Sequence, residues 1–206
     1  DFGQISRLDT YAETVSNSSA TKVMIDHHQE PDERISDLLF SDVTACATAQ
    51  IVFEIIQELG YNHLINKDVA ECFYAGIMTD TGSFKYASTT KKTHHIIAEL
   101  IAKGADNAKI HDLVYDNFSE NRLKLLGYCV NQKLKIFKEN KVAIISLDAK
   151  ELEKFSFQKG DTEGVVNYAL MIEGVVCAAF IAEKEGVVKL SLRSKGDFKV
   201  NEIAKK

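Results

Sequence analysis

Apolar residues in the first half of the chain recur with the spacing of alternating strands and helices. A short apolar run over Lys22–Asp26 predicts a buried strand. Helical segments follow, of which one is almost wholly apolar and the others carry an apolar stripe at helical spacing. These segments are Ala47–Leu59, Asp68–Met78, Thr93–Lys103 and the stretch that contains Ile110, Leu113 and Val114. The alternation predicts a layered α/β domain.

The pattern changes near Ser119, which is a candidate N-cap for a connecting helix over Glu120–Gln132. Two hairpins with helices between them are predicted beyond it. The hairpins pair Leu134–Phe137 with Val142–Leu147 and Gly174–Ala182 with Val187–Arg193, and the helices cover Glu151–Phe155 and Thr162–Ile172. Val200, Ile203 and Ala204 predict a further short helix.

Both patterns together predict the α/β class with two domains. Residues 1–119 would form an N-terminal domain with a parallel sheet and flanking helices, and residues 120–133 the connecting helix. Residues 134–206 would form a smaller α+β domain with a mostly antiparallel sheet.

The composition of the chain limits which partners and which cellular location we expect for the protein. Of the 206 residues 45% are hydrophobic, and the net charge of −5 disfavours broad electrostatic binding to long duplexes. No apolar run reaches the roughly 20 residues that span a bilayer, and the polar segment Asp1–Arg7 gives no sign of a signal peptide. Four widely spaced cysteines without a CxxC pair predict buried free thiols in a reducing compartment. We therefore expect a cytoplasmic protein without a membrane partner. The cysteines are Cys46, Cys72, Cys129 and Cys177.

The candidate chemistry begins with Asp26, His27 and His28, which directly follow the apolar run Val23–Ile25. An acid and two imidazoles at the end of a buried strand gain nothing from the core and need polar partners. In open α/β sheets, strand ends are also where ligands bind. A metal ion is the simplest partner for such a cluster, and the alternative is a strand end that turns into solvent.

Asp80 is a second candidate, at the end of an apolar helix in the sequence Thr79-Asp80-Thr81-Gly82. The helix dipole disfavours a carboxylate there, and a nearby cation would offset this penalty. Gly82 permits a sharp turn, and the threonines can bond the turn and hold the carboxylate in place. A plain helix end closed by glycine is the alternative. The remaining histidines are interpreted as surface residues: His63, His94, His95 and His111.

In combination, these motifs resemble the DHH phosphoesterase superfamily. The resemblance runs from Asp1–Arg7 through Ile25–His28 and Gly76–Phe84, and it resumes at Ser191–Ser194. It is strongest to the branch in which a DHHA1 domain follows the DHH domain. That branch includes bacterial nanoRNA hydrolases that also dephosphorylate adenosine 3′,5′-bisphosphate, relatives of the exonuclease RecJ, and proteins labelled exopolyphosphatase-related.

The resemblance implies a site with two Mn²⁺ ions, with Mg²⁺ or Co²⁺ as alternatives. Asp1 would be the carboxylate that both ions share, and His27 and Asp80 would be further metal ligands. His28 would be catalytic and would face the scissile phosphate instead of the metals.

The resemblance also implies residues that orient the metal ligands and residues that bind the substrate. Asp26 would orient the histidines, as metal-bound imidazoles usually require, and Thr79 and Thr81 would support Asp80. Arg193 and Ser194 would bind the substrate phosphate from the second domain, because the planar guanidinium suits a phosphate well.

The chain departs from the family pattern at both ends. The family's first metal motif, a histidine followed by two aspartates, would precede Asp1, and its glycine-rich GGGH segment would follow Ser194. Asp1, His27 and Asp80 alone are too few ligands for two ions. We therefore expect a piece of a longer hydrolase that is inactive or only weakly active by itself.

The implied function is hydrolysis of short single-stranded oligonucleotides (nanoRNA) or nucleoside 3′,5′-bisphosphates by two-metal activation of water. A second interpretation is an exopolyphosphatase or pyrophosphatase, and a requirement for a nucleobase would separate the two. A third is a non-catalytic nucleotide-binding module. A homodimer paired through sheet edges is a further expectation.

Overall fold

The chain folds as two compact units in a computed structural model that describes residues 1–200. The first unit is Asp1–Asp116, and the second begins at Asn117. The predicted short helix through Ile203 and Ala204 lies outside the described residues. No helix within residues 1–200 is long and apolar enough to cross a membrane.

The first unit combines a two-stranded sheet with five helices. Its strands are β1 (Val23–Asp26) and β2 (Leu38–Ser41), and its helices are α1 (Ala12–Asn17), α2 (Thr48–Glu58), α3 (Lys67–Asp80), α4 (Lys91–Ala102) and α5 (Asn107–Tyr115). Short 3-10 turns cover Ile5–Tyr11, Glu33–Ile35 and Asn62–Leu64. The strand predicted from the sequence corresponds to β1, and the four predicted helical segments correspond to α2, α3, α4 and α5.

Strand β2 was not predicted from the sequence, although it completes the parallel sheet. It pairs with β1 in a register that runs from Val23–Leu38 to Asp26–Ser41. Only three consecutive apolar residues mark it, and so short a run does not separate a strand from a loop. Helix α1 was missed as well, because it buries none of its residues and therefore shows no apolar face.

Side-chain caps begin three of the helices in this unit. The Asn66 carboxamide oxygen accepts from the Val69 N–H at α3, and Asp106 accepts from the Lys109 N–H at α5. Thr90 begins α4 in a capping box. The core between α2, α3, α4 and α5 is centred on Phe53, Tyr74, Ile77, Met78, Leu100 and Ile110.

The second unit contains a four-stranded sheet in the order β3-β4-β5-β6. The strands are β3 (Leu134–Phe137), β4 (Val142–Leu147), β5 (Cys177–Lys184) and β6 (Val187–Ser194). The two outer pairings are antiparallel and the central β4–β5 pairing is parallel. The prediction of a mostly antiparallel sheet made of two hairpins is therefore confirmed.

The helices of the second unit are α6 (Glu120–Tyr128), α7 (Ala149–Lys154) and α8 (Val165–Leu170), and a π-helical turn over Cys129–Lys133 extends α6. Ser119 is the predicted N-cap, since its hydroxyl accepts from the Arg122 N–H. Helix α8 is shorter than predicted, because Gly164 has a φ of +81° and so interrupts the helical conformation before Val165.

Three of the four cysteines are buried free thiols, as predicted, but Cys72 is exposed. The almost wholly apolar composition of Asp68–Met78 did not show which face of this helix is exposed. Helix α3 instead buries one face, which carries Ala70, Tyr74, Ile77 and Met78.

Candidate metal centre

The end of β1 brings two histidines to two carboxylates from distant parts of the first unit. His27 Nε2 lies 3.8 Å from Asp1 Oδ1 and 3.7 Å from Asp80 Oδ2. His28 Nδ1 lies 3.5 Å from the same Asp1 oxygen. Among the described residues, Asp1, His27 and His28 form a group whose ligand atoms all lie within 4.8 Å of one another. The candidate residues from three sequence motifs therefore converge.

The two histidines are held by different partners. His27 Nδ1 faces the Ala45 carbonyl at 3.2 Å, and because a carbonyl only accepts, Nδ1 carries the proton. The lone pair of Nε2 is then directed at the two acids. His28 Nδ1 lies 2.7 Å from Asp26 Oδ1, which leaves Nε2 of that ring for a ligand. Asp26 thus orients one of the histidines, and a backbone carbonyl orients the other.

Asp26 is fully buried beneath this cluster. Burial alone would raise the pKa of Asp26, but hydrogen bonds from the His28 ring and backbone N–H outweigh it and hold the pKa below its usual value. Its Oδ2 atom is buried without a hydrogen-bond partner, and a Cβ on Gly3 would lie only 3.3 Å from it. This partly compensated negative charge favours a cation in the cluster above it.

Asp80 is held by the turn that ends α3. The Thr79 hydroxyl donates to the carbonyls of Ala75 and Gly76, and the Thr81 hydroxyl donates to the Ile77 carbonyl at 2.7 Å. The threonines on either side of Asp80 therefore both donate to carbonyls in the preceding turn of α3.

The turn after Asp80 has an unusual backbone. Gly82, Ser83 and Phe84 have successive φ values of +56°, +61° and +67°. Only glycine fits at the first position, because a Cβ there would lie 2.5 Å from the Tyr86 ring. The left-handed conformation costs a non-glycine residue about 1–2 kcal/mol, so other contacts must hold Ser83 and Phe84 in place.

His111 of α5 supplies one of these contacts. Its Nε2 lies 3.0 Å from the Ser83 hydroxyl, and its Nδ1 lies 2.8 Å from the Asn107 carbonyl. The Phe84 ring packs against His111 and against Tyr74. His111 is half-buried and has hydrogen-bond and ring partners, which its interpretation as a surface residue did not include. Its partner lies 28 residues away, and no local pattern reveals such a contact.

Asp1 has a partner that the motifs did not indicate. The Thr48 hydroxyl, in the first turn of α2, donates to Asp1 Oδ1 at 3.0 Å. Next to this pair, helices α2 and α3 border a cavity of about 560 Å³ that reaches both Asp1 and Asp80. Its volume lies within the range of small-molecule sites.

The donor set suits a divalent cation. It combines carboxylate oxygens with imidazole nitrogens, which are ligands that Mn²⁺ and similar borderline ions accept. His27 Nε2 faces both Asp1 and Asp80, His28 Nδ1 faces Asp1, and each of the two rings is fixed through one nitrogen. The residues present therefore fit the ion that the sequence analysis implies.

Arg193 and Ser194 lie in the second unit, at the end of β6. The Arg193 side chain is exposed and donates to the Leu192 carbonyl, and the Ser194 hydroxyl donates to the Phe198 carbonyl. Their role in phosphate binding stays a prediction.

Comparison with known proteins gives concordant matches. Residues 1–77 match the model of the DHH family, N-terminal domain. The chain is 31% identical over 191 residues to the bifunctional oligoribonuclease and PAP phosphatase NrnA of Bacillus subtilis, covering 92% of this chain and 59% of the relative. It is also 31% identical over 184 residues to the NrnA protein of Thermus thermophilus, covering 89% of this chain and 54% of the relative.

A solved structure is similar over almost the whole chain. The crystal structure of an exopolyphosphatase-related protein from Bacteroides fragilis matches with a TM-score of 0.94 and 40% identity, covering 99% of this chain and 59% of the other. The chain thus spans less than two thirds of the length of each of these relatives.

Proposed function

Because this chain belongs to the DHH superfamily, we propose that it hydrolyses phosphate esters of short single-stranded oligonucleotides and nucleoside 3′,5′-bisphosphates with Mn²⁺ as cofactor. The main support is the convergence of His27 Nε2 on Asp1 and Asp80 within 3.8 Å. The similarity to two NrnA proteins, named as oligoribonucleases and PAP phosphatases, supports the substrate class.

In this proposal Asp1, His27 and Asp80 hold the divalent ion, with Asp1 as the ligand that a second ion would share. When bound, such ions activate water and stabilise the negative charge that develops on the leaving oxygen. The protein's contribution is orientation, since the Ala45 carbonyl holds the proton on Nδ1 of His27 and leaves Nε2 free for a ligand.

His28 has a different role in this proposal. Asp26 accepts from its Nδ1, so the ring presents Nε2 to the substrate, where it donates a hydrogen bond or a proton to a phosphate oxygen. Arg193 and Ser194 bind a further phosphate group of the substrate.

A second candidate function is the hydrolysis of polyphosphate or pyrophosphate. The similarity to an exopolyphosphatase-related protein at 40% identity favours it. Both reactions would use the same acids and histidines, so the substrate's nucleoside is what distinguishes them. A non-catalytic nucleotide-binding module would show binding without turnover.

The test is a substrate panel with Mn²⁺: an RNA trinucleotide, adenosine 3′,5′-bisphosphate, polyphosphate and pyrophosphate. We expect at most weak, Mn²⁺-dependent release of mononucleotide or phosphate from the first two, because the candidate ligands are too few for two ions, and we expect Asp80→Asn to abolish it. The matched control is Asp42→Asn, because Asp42 lies in the same unit but bonds Thr44. Turnover of polyphosphate alone would favour the second candidate. Nucleotide binding that is the same in Asp80→Asn and does not depend on Mn²⁺, without turnover of any substrate, would favour the non-catalytic nucleotide-binding module.

We propose a cytoplasmic location, since the four cysteines are free thiols. The homodimer stays a prediction, which the mass measured by light scattering tests.

A further inference from the structure

Thr48 is the residue of α2 that contacts the candidate metal centre most directly. Its hydroxyl donates to Asp1 Oδ1 at 3.0 Å, across 47 positions of sequence. The side chain has little freedom, because Thr48 is the first residue of an eleven-residue helix and follows Ala45, Cys46 and Ala47, all buried. The backbone that carries its hydroxyl is therefore held in place, and the β-branched side chain has few rotamers.

Asp1, in contrast, has an exposed side chain. Its side chain is 56% accessible to solvent, compared with 19% for His27. A carboxylate this exposed samples several rotamers unless a hydrogen bond selects one. The Oδ1 atom that accepts from Thr48 is also the atom that faces both histidines, at 3.8 Å and 3.5 Å.

The start of α2 adds a favourable electrostatic environment. Its N-cap residue is Ala47, whose side chain makes no capping hydrogen bond. The Thr48–Asp1 hydrogen bond places the Asp1 carboxylate at the N-terminal end of this helix, where the positive end of the helix dipole stabilises carboxylates. Thr48 links this helix end to the carboxylate.

We propose that Thr48 is a positioning residue for the metal centre: its hydroxyl selects the Asp1 rotamer in which the carboxylate faces the same space as His27 Nε2 and Asp80. The inference rests on the proposed function, since it assigns Asp1 as a metal ligand. Thr48 itself touches neither the ion nor the substrate. Each carboxylate oxygen has more than one lone pair, so Oδ1 can accept from Thr48 and still bind a cation.

The test compares Thr48→Val with Thr48→Ser in Mn²⁺ titrations of the full chain, monitored by calorimetry and by the EPR signal of free Mn²⁺. Valine keeps the shape and removes the hydroxyl, so we expect the Kd to rise about tenfold, as is typical when a partner of a metal ligand is lost. Serine keeps the donor, so its Kd should stay within about threefold of the original. Thermal unfolding without metal should be nearly unchanged in both variants.

Thr44→Val is the matched control, because the Thr44 hydroxyl also donates to an aspartate, Asp42, at 2.6 Å. It should leave the Kd for Mn²⁺ unchanged. If the original chain binds Mn²⁺ and Thr48→Val binds it equally well, or if Thr48→Ser is as weak as Thr48→Val, the positioning role is wrong while the proposed function stands. If the original chain does not bind Mn²⁺ at millimolar concentration, the proposed metal centre fails, and this inference fails with it.

Discussion

Each unit contains a polar cluster around a carboxylate, and the two clusters differ in charge balance. In the second unit, Glu151 Oε1 accepts from Lys133 Nζ at 2.8 Å and from Tyr128 Oη at 2.5 Å, and its backbone N–H is bonded to Asp148. In the first unit, Asp1 and Asp80 face histidines, and the buried Asp26 keeps one oxygen without a partner.

Under the proposed function, this difference separates a structural cluster from a metal-binding one. The Glu151 carboxylate faces the Lys133 ammonium and accepts hydrogen bonds from Lys133, Tyr128 and the Asp148 N–H, so it needs no further ligand. Around His27 the acids outnumber the cations, and two imidazole nitrogens stay available. A protein keeps an arrangement of the second kind where a cation or a substrate completes it.

The largest expected effect comes from substitutions in the cluster of the first unit, around His27. Asp80→Asn and His27→Ala should each weaken Mn²⁺ binding by more than about 100-fold, because each removes a proposed ligand and not merely its partner. Metal-free stability should not fall in Asp80→Asn, since neutralising one of two nearby acids relieves their repulsion. Calorimetric titration and thermal unfolding measure the two quantities. A metal-free stability loss with unchanged Mn²⁺ affinity would mean that this cluster is structural as well.

For Glu151→Gln we expect a loss of stability without a change in Mn²⁺ affinity. The substitution should lower the free energy of unfolding by about 2 kcal/mol, because Lys133 and Tyr128 lose an ionised acceptor in a partly buried site. Mn²⁺ affinity should not change. Urea unfolding measures the first quantity, and a stability equal to that of the original chain would contradict the account of this cluster.

Glu151 should also contribute to the way in which stability decreases at acidic pH. Burial raises the pKa of Glu151, but the hydrogen bonds from Lys133 and Tyr128 and from the Asp148 N–H outweigh it and bring the pKa to about 2, compared with an ordinary value of 4.5. A lowered pKa means that the contribution is fully present above the unfolded-state value and is lost as the pH falls from about 4.5 toward 2. Unfolding measured across this window should show a shallower pH dependence in Glu151→Gln than in the original chain. Equal slopes would show that Glu151 contributes nothing there.

The smallest expected effect concerns the turn after Asp80. His111→Leu removes the hydrogen bond to Ser83 and should cost about 1 kcal/mol of stability. It should also weaken Mn²⁺ binding slightly, because the turn that follows Asp80 loses one of its contacts. Ser83→Ala removes the same hydrogen bond and keeps the packing of His111 against Phe84, so its loss of stability should be no larger than that of His111→Leu. A stability loss in only one of them would argue against the direct contact.

The sequence predicted the elements that carry a strong periodic pattern. Helices α2 to α5 and both hairpins of the second unit have long apolar stripes or clear turns, and they formed within a few residues of their predicted bounds. Strand β2 and helix α1 were missed, because one is a very short apolar run and the other buries no residue. The α8 boundary depended on the backbone conformation of Gly164, which composition alone does not determine.

The candidate site shows a similar division. Local motifs were enough to predict four candidate site residues, because polar residues stand out at the ends of apolar elements. These residues are Asp26, His27, His28 and Asp80. The contacts that orient them could not be predicted in this way: Ala45 acts through a backbone carbonyl, and Thr48 and His111 act across long stretches of sequence. Partners of this kind have no sequence signature, since they arise from packing of elements that are distant in the chain.

The most direct test of the central claim is an anomalous difference map from crystals grown with Mn²⁺. The account predicts a peak within bonding distance of Asp1, His27 Nε2 and Asp80, with His27 Nδ1 still facing the Ala45 carbonyl. A map with no peak there at saturating Mn²⁺, or with a peak only at acids elsewhere on the surface, would contradict it.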